Sequence, residues 1–543
     1  MRGGRGRAVL SCRVSDAPDS PVARQAIHGV LGRSALVVGG GVGGLAAAVR
    51  LATAGWRVTL LEQNDRVGGK LNRRVLSSSE GDFTFDTGPS LLTLPFVFED
   101  LFRAAGTTLG DRLDLVRLDP VSRFDWPDGD TLSLHRDEAD TLASVRRLAP
   151  DDVDGFRKFL ARGRRIWELA GELFLTQSPE QIMARKLSPR EGLAMLTVPF
   201  RIGMFGTYAR LVDRHVKHPK LRAVLYQYAT YSGASPWKAP ATLAVIPFAE
   251  THFGGWYVNG GMYRLAEELQ RLAEEKGATI RMNAAVSKID VADGRATGVT
   301  LESGETLAAD AVICNGDVIS SLRDLIDPDD RPKWPDATLN ALDPGGSGMV
   351  LLLGVQGQLP QLTHHTKFMP LDYLAPGGDL RSMFETQTVP IEPCVYVCCT
   401  SRTDPTQAPP GCENLFILVS APPLHGGGLS IDWEKEAPLY RNRVIGLLEA
   451  KFGFEGLSER IIAEDRWTPR DLQERYRANA GSIYGVGSNS RTQAFLRPPN
   501  RDKSIKNLYY AGGATHPGGG LPLVALSGKI AAELATADAG RVH

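Results

Sequence analysis

Short uninterrupted apolar runs and longer stretches with helical spacing follow one another from Ser34 onward, and their alternation predicts a parallel sheet flanked by helices. Ala35 to Val38 is an apolar run suited to a strand buried on both faces, and the small residues from Leu45 to Thr53 predict a helix packed close beside it. Trp56 to Leu61, after Gly55, predicts the next strand. Far downstream, Tyr263 to Lys276 carries apolar positions at helical spacing, and strands are expected at 278–281 and 285–289. Asp293-Gly294 predicts a hairpin turn, with strands at 298–301 and 306–308 around Ser303-Gly304 and a further strand from Asp310 to Cys314 leading into Asn315-Gly316-Asp317. The last predicted pair is a strand over Asn507 to Ala511 and a helix over 523–534.

The junctions of these elements carry the chemistry. Gly39, Gly41 and Gly44 stand at GxGxxG spacing between the first strand and the first helix. Gly39 suits a tight turn, Gly41 a close approach of backbone to pyrophosphate, and Gly44 close packing of helix on strand, and Val42 and Gly43 within the turn are expected beside the cofactor. A helix N-terminus offers unpaired amides and a positive dipole end to phosphate. The second strand ends in Glu62, about 20 residues beyond Gly41, where an acid receives ribose hydroxyls and repels a 2′-phosphate. FAD or NAD is therefore expected, and not NADP.

The residues beyond Glu62 favour FAD. Gly68-Gly69 lets the chain pass the pyrophosphate from the other side, and Lys70 is expected to add charge-assisted bonds to phosphate or flavin. Phe85 to Ser90 (FDTGPS) supplies a second glycine turn at Gly88, Pro89 and Ser90. Near the end, Gly512 and Gly513 precede a proline-bearing bend into a helix whose first turn, Pro522, Leu523 and Val524, faces a second anionic or polar group of the same ligand.

Composition narrows the partners. Lys plus Arg (62) equal Asp plus Glu (62), 43% of residues are hydrophobic and 23% charged, so no polyanionic partner or nucleic acid is implied. Six cysteines, Cys12, Cys314, Cys394, Cys398, Cys399 and Cys412, fit neither a disulfide framework nor paired zinc motifs. Reduced thiols in a cytoplasm are expected. No apolar run is long enough to span a membrane. Residues 1–33, with six arginines, read as a disordered extension or as residues ahead of the natural start.

Taken together, the GxGxxG segment, RVGGK at Arg66 to Lys70, FDTGPS, TYSGASPWKAPATLAVIPFAE at Thr230 to Glu250, and AGGATHPGGGLPLVALSGK from Ala511 resemble the flavin amine oxidase and phytoene desaturase superfamily. The THPGGGLP segment and Leu71-Asn72 make the chain most similar to its bacterial carotenoid desaturase branch, of the 3,4-desaturase type, from about Ser34 to the end. The resemblance implies an α/β fold: a discontinuous Rossmann-like FAD-binding domain over 34–110, 255–320 and 480–543, and a mixed α+β substrate and membrane-docking domain over 111–254 and 321–479. It also assigns Val286 to the adenine side. The implied activity is FAD-dependent introduction of a C=C bond into an acyclic carotenoid, with C-3,4 desaturation of a 1-hydroxylated carotenoid favoured. Phytoene or diapophytoene desaturation, carotene isomerisation and carotenoid oxidation are alternatives within the family. An amine oxidase, lacking any aromatic cage for a polar amine, and a non-catalytic prenyl-lipid binding protein are the rivals outside it. Oxygen or a quinone is the expected electron acceptor.

A carotenoid lives in the bilayer, and residues 192–211 carry Arg201 and Arg210 as their only charges, flanked by Arg185, Lys186, Arg190, Arg214, Lys217 and Lys220. That pattern suits peripheral attachment to the inner membrane from the cytoplasm, or a buried helix pair. His516, in the final flavin motif, is the candidate proton acceptor, while Asp86 is expected to hold its loop through backbone amides. No metal is expected: His364 and His365 would point to opposite faces of a strand, and Cys398-Cys399 read as small buried hydrophobes.

Overall fold

The computed structural model describes residues 32–183, 197–424, 431–495 and 497–540. Residues 1–31, Arg185, Lys186 and Arg190 lie outside the described residues.

Two sheets organise the chain. The first has five parallel strands in the order Leu508–Tyr510, Ala311–Cys314, Ser34–Val38, Arg57–Leu61 and Thr279–Arg281. Ser34–Val38 lies at its centre, with Ala35, Leu36, Val37 and Val38 all buried, which is why that run is apolar without interruption. The helix Val42–Thr53 packs against the C-terminal helix Leu521–Ala539 so closely that a Cβ at Gly528 would lie 2.1 Å from the Gly43 carbonyl oxygen. Amphipathic Arg264–Glu275 buries Leu265, Leu269 and Leu272 on the same layer. A three-stranded antiparallel sheet, Val286–Ala292, Arg295–Leu301 and Thr306–Ala308, is turned by Asp293 and Gly294, both at positive φ. All these strands fall within 34–110, 255–320 and 480–543.

The second large sheet has seven strands, ordered Ile461–Trp467, Ser347–Gln356, Cys412–Ala421, Val395–Cys398, His365–Phe368, Ser122–Asp125 and Thr131–Leu134. It is mixed: only His365–Phe368 and Ser122–Asp125 run parallel. Its strands come entirely from 111–254 and 321–479. One of its faces, with Met349, Leu351 and Leu353, packs on the helix Trp433–Lys451 through Tyr440, Val444 and Leu448. The opposite face turns toward the carboxyl edge of the parallel sheet, and the space between them is the site.

The described part of the basic apolar segment forms two helical pieces. Residues 197–201 are helical, the chain breaks at 202–206, and a second helix runs Tyr208–His215. Thr207 caps that second helix by accepting from the Arg210 amide. Part of the expected basic rim is neutralised, since Lys220 pairs with Asp128 and Asp130.

Candidate functional site: a cavity joining the two domains

The nucleotide end is built at the carboxyl edge of the parallel sheet, where strand ends leave backbone groups unpaired. Gly39 donates to the Leu61 carbonyl at 2.8 Å, tying the glycine turn to the next strand. Gly41 precedes the helix in extended conformation, and no side chain caps the helix amides behind it. A Cβ at Gly41 would meet the Asn315 amide nitrogen at 3.0 Å and Gly69 Cα at 4.0 Å, so Gly41 and Gly69 form the two walls of a narrow cradle. Gly68 and Gly69 both have positive φ, and Gly68 donates to the Gly40 carbonyl at 2.8 Å. These conformations belong to glycine, and they bring the RVGGK segment alongside the GxGxxG turn.

Glu62 is buried in the cavity wall. One carboxylate oxygen accepts from the Gly40 amide at 2.7 Å, and the other from the amide and the side chain of Asn64 at 3.0 and 2.8 Å. Fixed on one side by these donors, the carboxylate keeps lone pairs for ribose hydroxyls. Gly39, Gly41, Val42, Gly43, Gly68, Gly69, Gly88, Pro89, Ser90, Val286, Gly512, Gly513, Pro522, Leu523 and Val524 border the same cavity. Pro522, Leu523 and Val524 form the first turn of Leu521–Ala539, again without a side-chain cap. The cradle, the buried carboxylate and two uncapped helix N-termini fit a dinucleotide.

Two expected roles change and one holds. Gly44 serves the packing of helix on strand, as expected: it does not border the cavity, and a Cβ there would fall 2.1 Å from the Gly39 carbonyl oxygen. Lys70 borders the cavity, yet its ammonium donates to the carbonyls of Ser482 and Ile483 at 2.9 and 2.7 Å, and burial pulls its pKa down to about 8 despite the nearby Asp317. The charge expected on phosphate is therefore committed to backbone. His516 lies outside the cavity lining, its Nε2 bonded to the Gln177 carbonyl at 3.0 Å and its ring edge-on to Phe174 at 4.8 Å. Burial draws its pKa down to about 4, so a neutral ring clamps residues 174–177 where a proton acceptor was expected.

Asp86 meets its expectation: it is buried and accepts from the Tyr263 amide at 3.3 Å. The geometry expected for the histidine pair does not hold. His364 precedes the strand His365–Phe368, so strand alternation fails to separate the rings, whose centroids lie 4.5 Å apart. Their ligand atoms and the thiol of Cys398 fall within 4.8 Å of one another.

The far half of the cavity is lined by residues with no expected role at the site, although Tyr231 and Glu250 belong to the segment Thr230 to Glu250. His365, Lys367, Tyr396, Glu250, Tyr231 and Tyr373 border it, all but Tyr231 and Tyr396 largely inaccessible to solvent. Tyr228 donates to Glu250 Oε1 at 2.6 Å, and Lys367 donates to the Tyr231 hydroxyl at 3.0 Å. Burial lowers the pKa of Lys367 and raises that of Glu250. Ser90 of the flavin-motif loop and Tyr396 of the seven-stranded sheet share a 2.6 Å hydrogen bond, which joins the two halves. Asn315, whose side chain donates to the Gly39 carbonyl at 3.1 Å, is a further lining residue that sequence reasoning missed. Its place directly after a buried parallel strand is a signal that identifies such positions. Nothing in the short run around Lys367 distinguishes a cavity lysine from an exposed one.

One cavity of about 790 Å³ runs from Glu62 and the glycine turns to Lys367, with Ile202, Leu243 and Ile246 along a further wall. A dinucleotide cradle opening into a mostly apolar chamber defines a cofactor-dependent oxidoreductase with a hydrophobic substrate site.

The chain matches the family described as flavin containing amine oxidoreductase over residues 42–536, and it belongs to that family. It is an FAD-dependent oxidoreductase. It is 36% identical to a 4,4'-diapolycopene oxygenase of Methylomonas sp over 507 residues, which cover 93% of this chain and 98% of that one. It is 35% identical to a 4,4'-diaponeurosporene oxygenase of Staphylococcus aureus (strain USA300), covering 92% and 97%. Among solved structures, an oxidoreductase from Methanosarcina mazei superposes with a TM-score of 0.58 at 16% identity, covering 91% of this chain and 99% of that one. A putrescine oxidase variant gives 0.58 at 16%, covering 94% and 99%. These last two share the fold.

Proposed function

We propose that the protein oxidises the end of an acyclic carotenoid, by oxygenation of a terminal carbon. The observation that carries this reading is the single cavity that leads from the dinucleotide cradle into a long apolar chamber, in a chain 36% identical to a 4,4'-diapolycopene oxygenase along nearly its whole length. The chemistry FAD supplies when bound is acceptance of two electrons with hydrogen from carbon. Gly41, Gly69 and Glu62 hold the dinucleotide, while Leu243, Ile246 and Ile202 align the apolar chain of the substrate and keep bulk water from it. Desaturation at C-3,4 of a 1-hydroxylated carotenoid is the second reading, favoured by the polar groups of Glu250 and Lys367 within the apolar wall, which suit a hydroxyl. In either case two electrons and two hydrogens leave for oxygen or a quinone as final acceptor; in oxygenation a water molecule at the chain end supplies the new oxygen atom, so that R–H, water and acceptor give R–OH and the reduced acceptor.

We also propose that the enzyme works at the cytoplasmic surface of a membrane. Phe200 and Phe205 are 70% and 48% exposed, their rings 4.8 Å apart, and Ile202 between them borders the cavity. An apolar surface beside a cavity wall is where a membrane-dissolved substrate enters. Among the described residues no helix is long and apolar enough to cross a membrane.

The test is expression in a pigment-free bacterium supplied in turn with acyclic hydrocarbon and 1-hydroxylated carotenoids, with product masses as the readout. Gain of oxygen at the chain end is the expected result. Loss of two hydrogens from hydroxylated substrates alone transfers the assignment to desaturation, and no product from any carotenoid removes the carotenoid reading.

A further inference from the structure

Lys367 stands where a purely hydrocarbon-binding cavity has no use for it. Its strand, His365–Phe368, lies between two others, and the register sets Lys367 opposite Phe124 on one side and Tyr396 on the other. Partners in register project from the same face of a sheet, so an ammonium leaves that face between two aromatic rings. Its Nζ lies 4.9 Å from the Phe124 centroid, 5.2 Å from that of Tyr231 and 6.0 Å from that of Tyr396. Ring faces stabilise a cation, but they do not take its N–H groups.

Of its three N–H donors, one is given to the Tyr231 hydroxyl, and no carboxylate forms an ion pair with it among the described residues. Lys367 is only 5% exposed, and burying an ammonium with unfilled donors is costly unless something completes its shell. Glu250 borders the same cavity with Oε1 already taken by Tyr228, close enough to act on the charge of Lys367 without bonding to it. The cavity therefore presents a donor with free positions, and an acid nearby, within walls otherwise suited to a hydrocarbon.

We propose that Lys367 is the binding point for an oxygen-bearing end of the polyene, a hydroxyl, aldehyde or carboxylate, and that it selects end-oxidised chains over plain hydrocarbons. This rests on the reading of the substrate as a polyene and adds the chemistry of its end. The aromatic frame of Phe124, Tyr231 and Tyr396 leaves the ammonium only the direction of the cavity in which to donate. A chain whose terminal carbon has already gained oxygen is then held for a further oxidation step, so oxidised intermediates stay bound in preference to fresh hydrocarbon.

The experiment is an absorption titration of the flavin-loaded enzyme with a matched pair of ligands, a linear polyene hydrocarbon and the same chain with a terminal aldehyde. The aldehyde is expected to bind at least about tenfold more tightly, the size of one hydrogen bond to a charged donor, with its absorption moved to longer wavelength. In Lys367→Met, which keeps the length of the stem, the affinity ratio should fall to within about twofold of unity and the shift should vanish, while Lys367→Arg restores part of both. Equal binding of the two ligands by the unaltered enzyme overturns the proposal without any variant, as does a preference that survives Lys367→Met. Failure of both ligands to bind in the same titration overturns the polyene reading beneath it and is seen separately.

Discussion

Gly44 sits so close to Gly39 that a Cβ on the former would lie 2.1 Å from the carbonyl oxygen of the latter. Both ends of that contact are backbone, and neither can give way without moving the central strand or the first helix. Gly41, in the same motif, borders the cavity, and a Cβ there would meet only the movable Asn315 amide nitrogen at 3.0 Å and Gly69 Cα at 4.0 Å. Glycines of one motif thus serve two different ends, one structural and one for ligand approach.

The two should separate on substitution. Gly44→Ala is expected to destabilise the apoprotein by about 3 kcal/mol, as overpacking against fixed backbone does. Gly41→Ala, at a φ of −66° that any residue adopts, should leave apoprotein melting within about 3 °C of the parent. Its flavin affinity should fall by at least about tenfold, since the added carbon occupies the space a pyrophosphate needs. Melting curves of the apoproteins with FAD titrations decide it; full flavin affinity in Gly41→Ala would remove that residue from the cradle.

Asp86 offers a pH test of the loop that carries the second glycine turn. Burial raises its pKa from 3.8 to about 6, although amides of Met262 and Tyr263 oppose the rise. Between those values the folded chain holds a proton that the unfolded chain has released, so stability from this group is complete below about pH 4 and declines as pH rises through 6. Asp86→Asn stays neutral throughout. Urea unfolding of the two proteins at pH 4 and pH 7 should show their stability difference moving against the parent by on the order of 3 kcal/mol. Parallel pH curves would mean that Asp86 ionises normally in the fold.

Much of the nucleotide half was legible because local chemistry dictates it. The apolar run before Gly39, the glycine spacing and Glu62 each arise from a strand that must be buried and a dinucleotide that must be approached, and all of them fall within the single stretch from Ala35 to Glu62. Side-chain roles were less legible. Lys70 looks like a phosphate ligand until the carbonyls of Ser482 and Ile483, some four hundred residues away in the chain, are brought to it. The role expected of His516 comes from its neighbours in sequence, whereas its environment is set by the carbonyl of Gln177, 339 residues away in the chain. The substrate wall was illegible for the same reason. Glu250, Lys367 and Tyr396 come from three separate elements, and only the register of the mixed sheet and the packing of the helix Val245–Phe253 bring them to one cavity.

The exposed pair Phe200 and Phe205 gives the membrane proposal its sharpest test. Each ring removed from water contributes about 2 kcal/mol, and a basic residue beside an anionic surface about 1 kcal/mol more, so Arg201 and Arg210 should add a salt-sensitive part. Replacing Phe200 and Phe205 together by serine is therefore expected to weaken binding to vesicles containing anionic lipid by at least tenfold (~1.4 kcal/mol). High salt should weaken binding of the parent to anionic vesicles and leave its binding to neutral vesicles nearly unchanged. Because both rings lie on the surface and Ile202 alone of this turn borders the cavity, flavin content should be unaffected by the double change. Flotation of the parent and the double variant with anionic and neutral vesicles separates the two contributions. Equal flotation of both proteins would assign the rings to some other contact and leave the entrance beside Ile202 without its membrane.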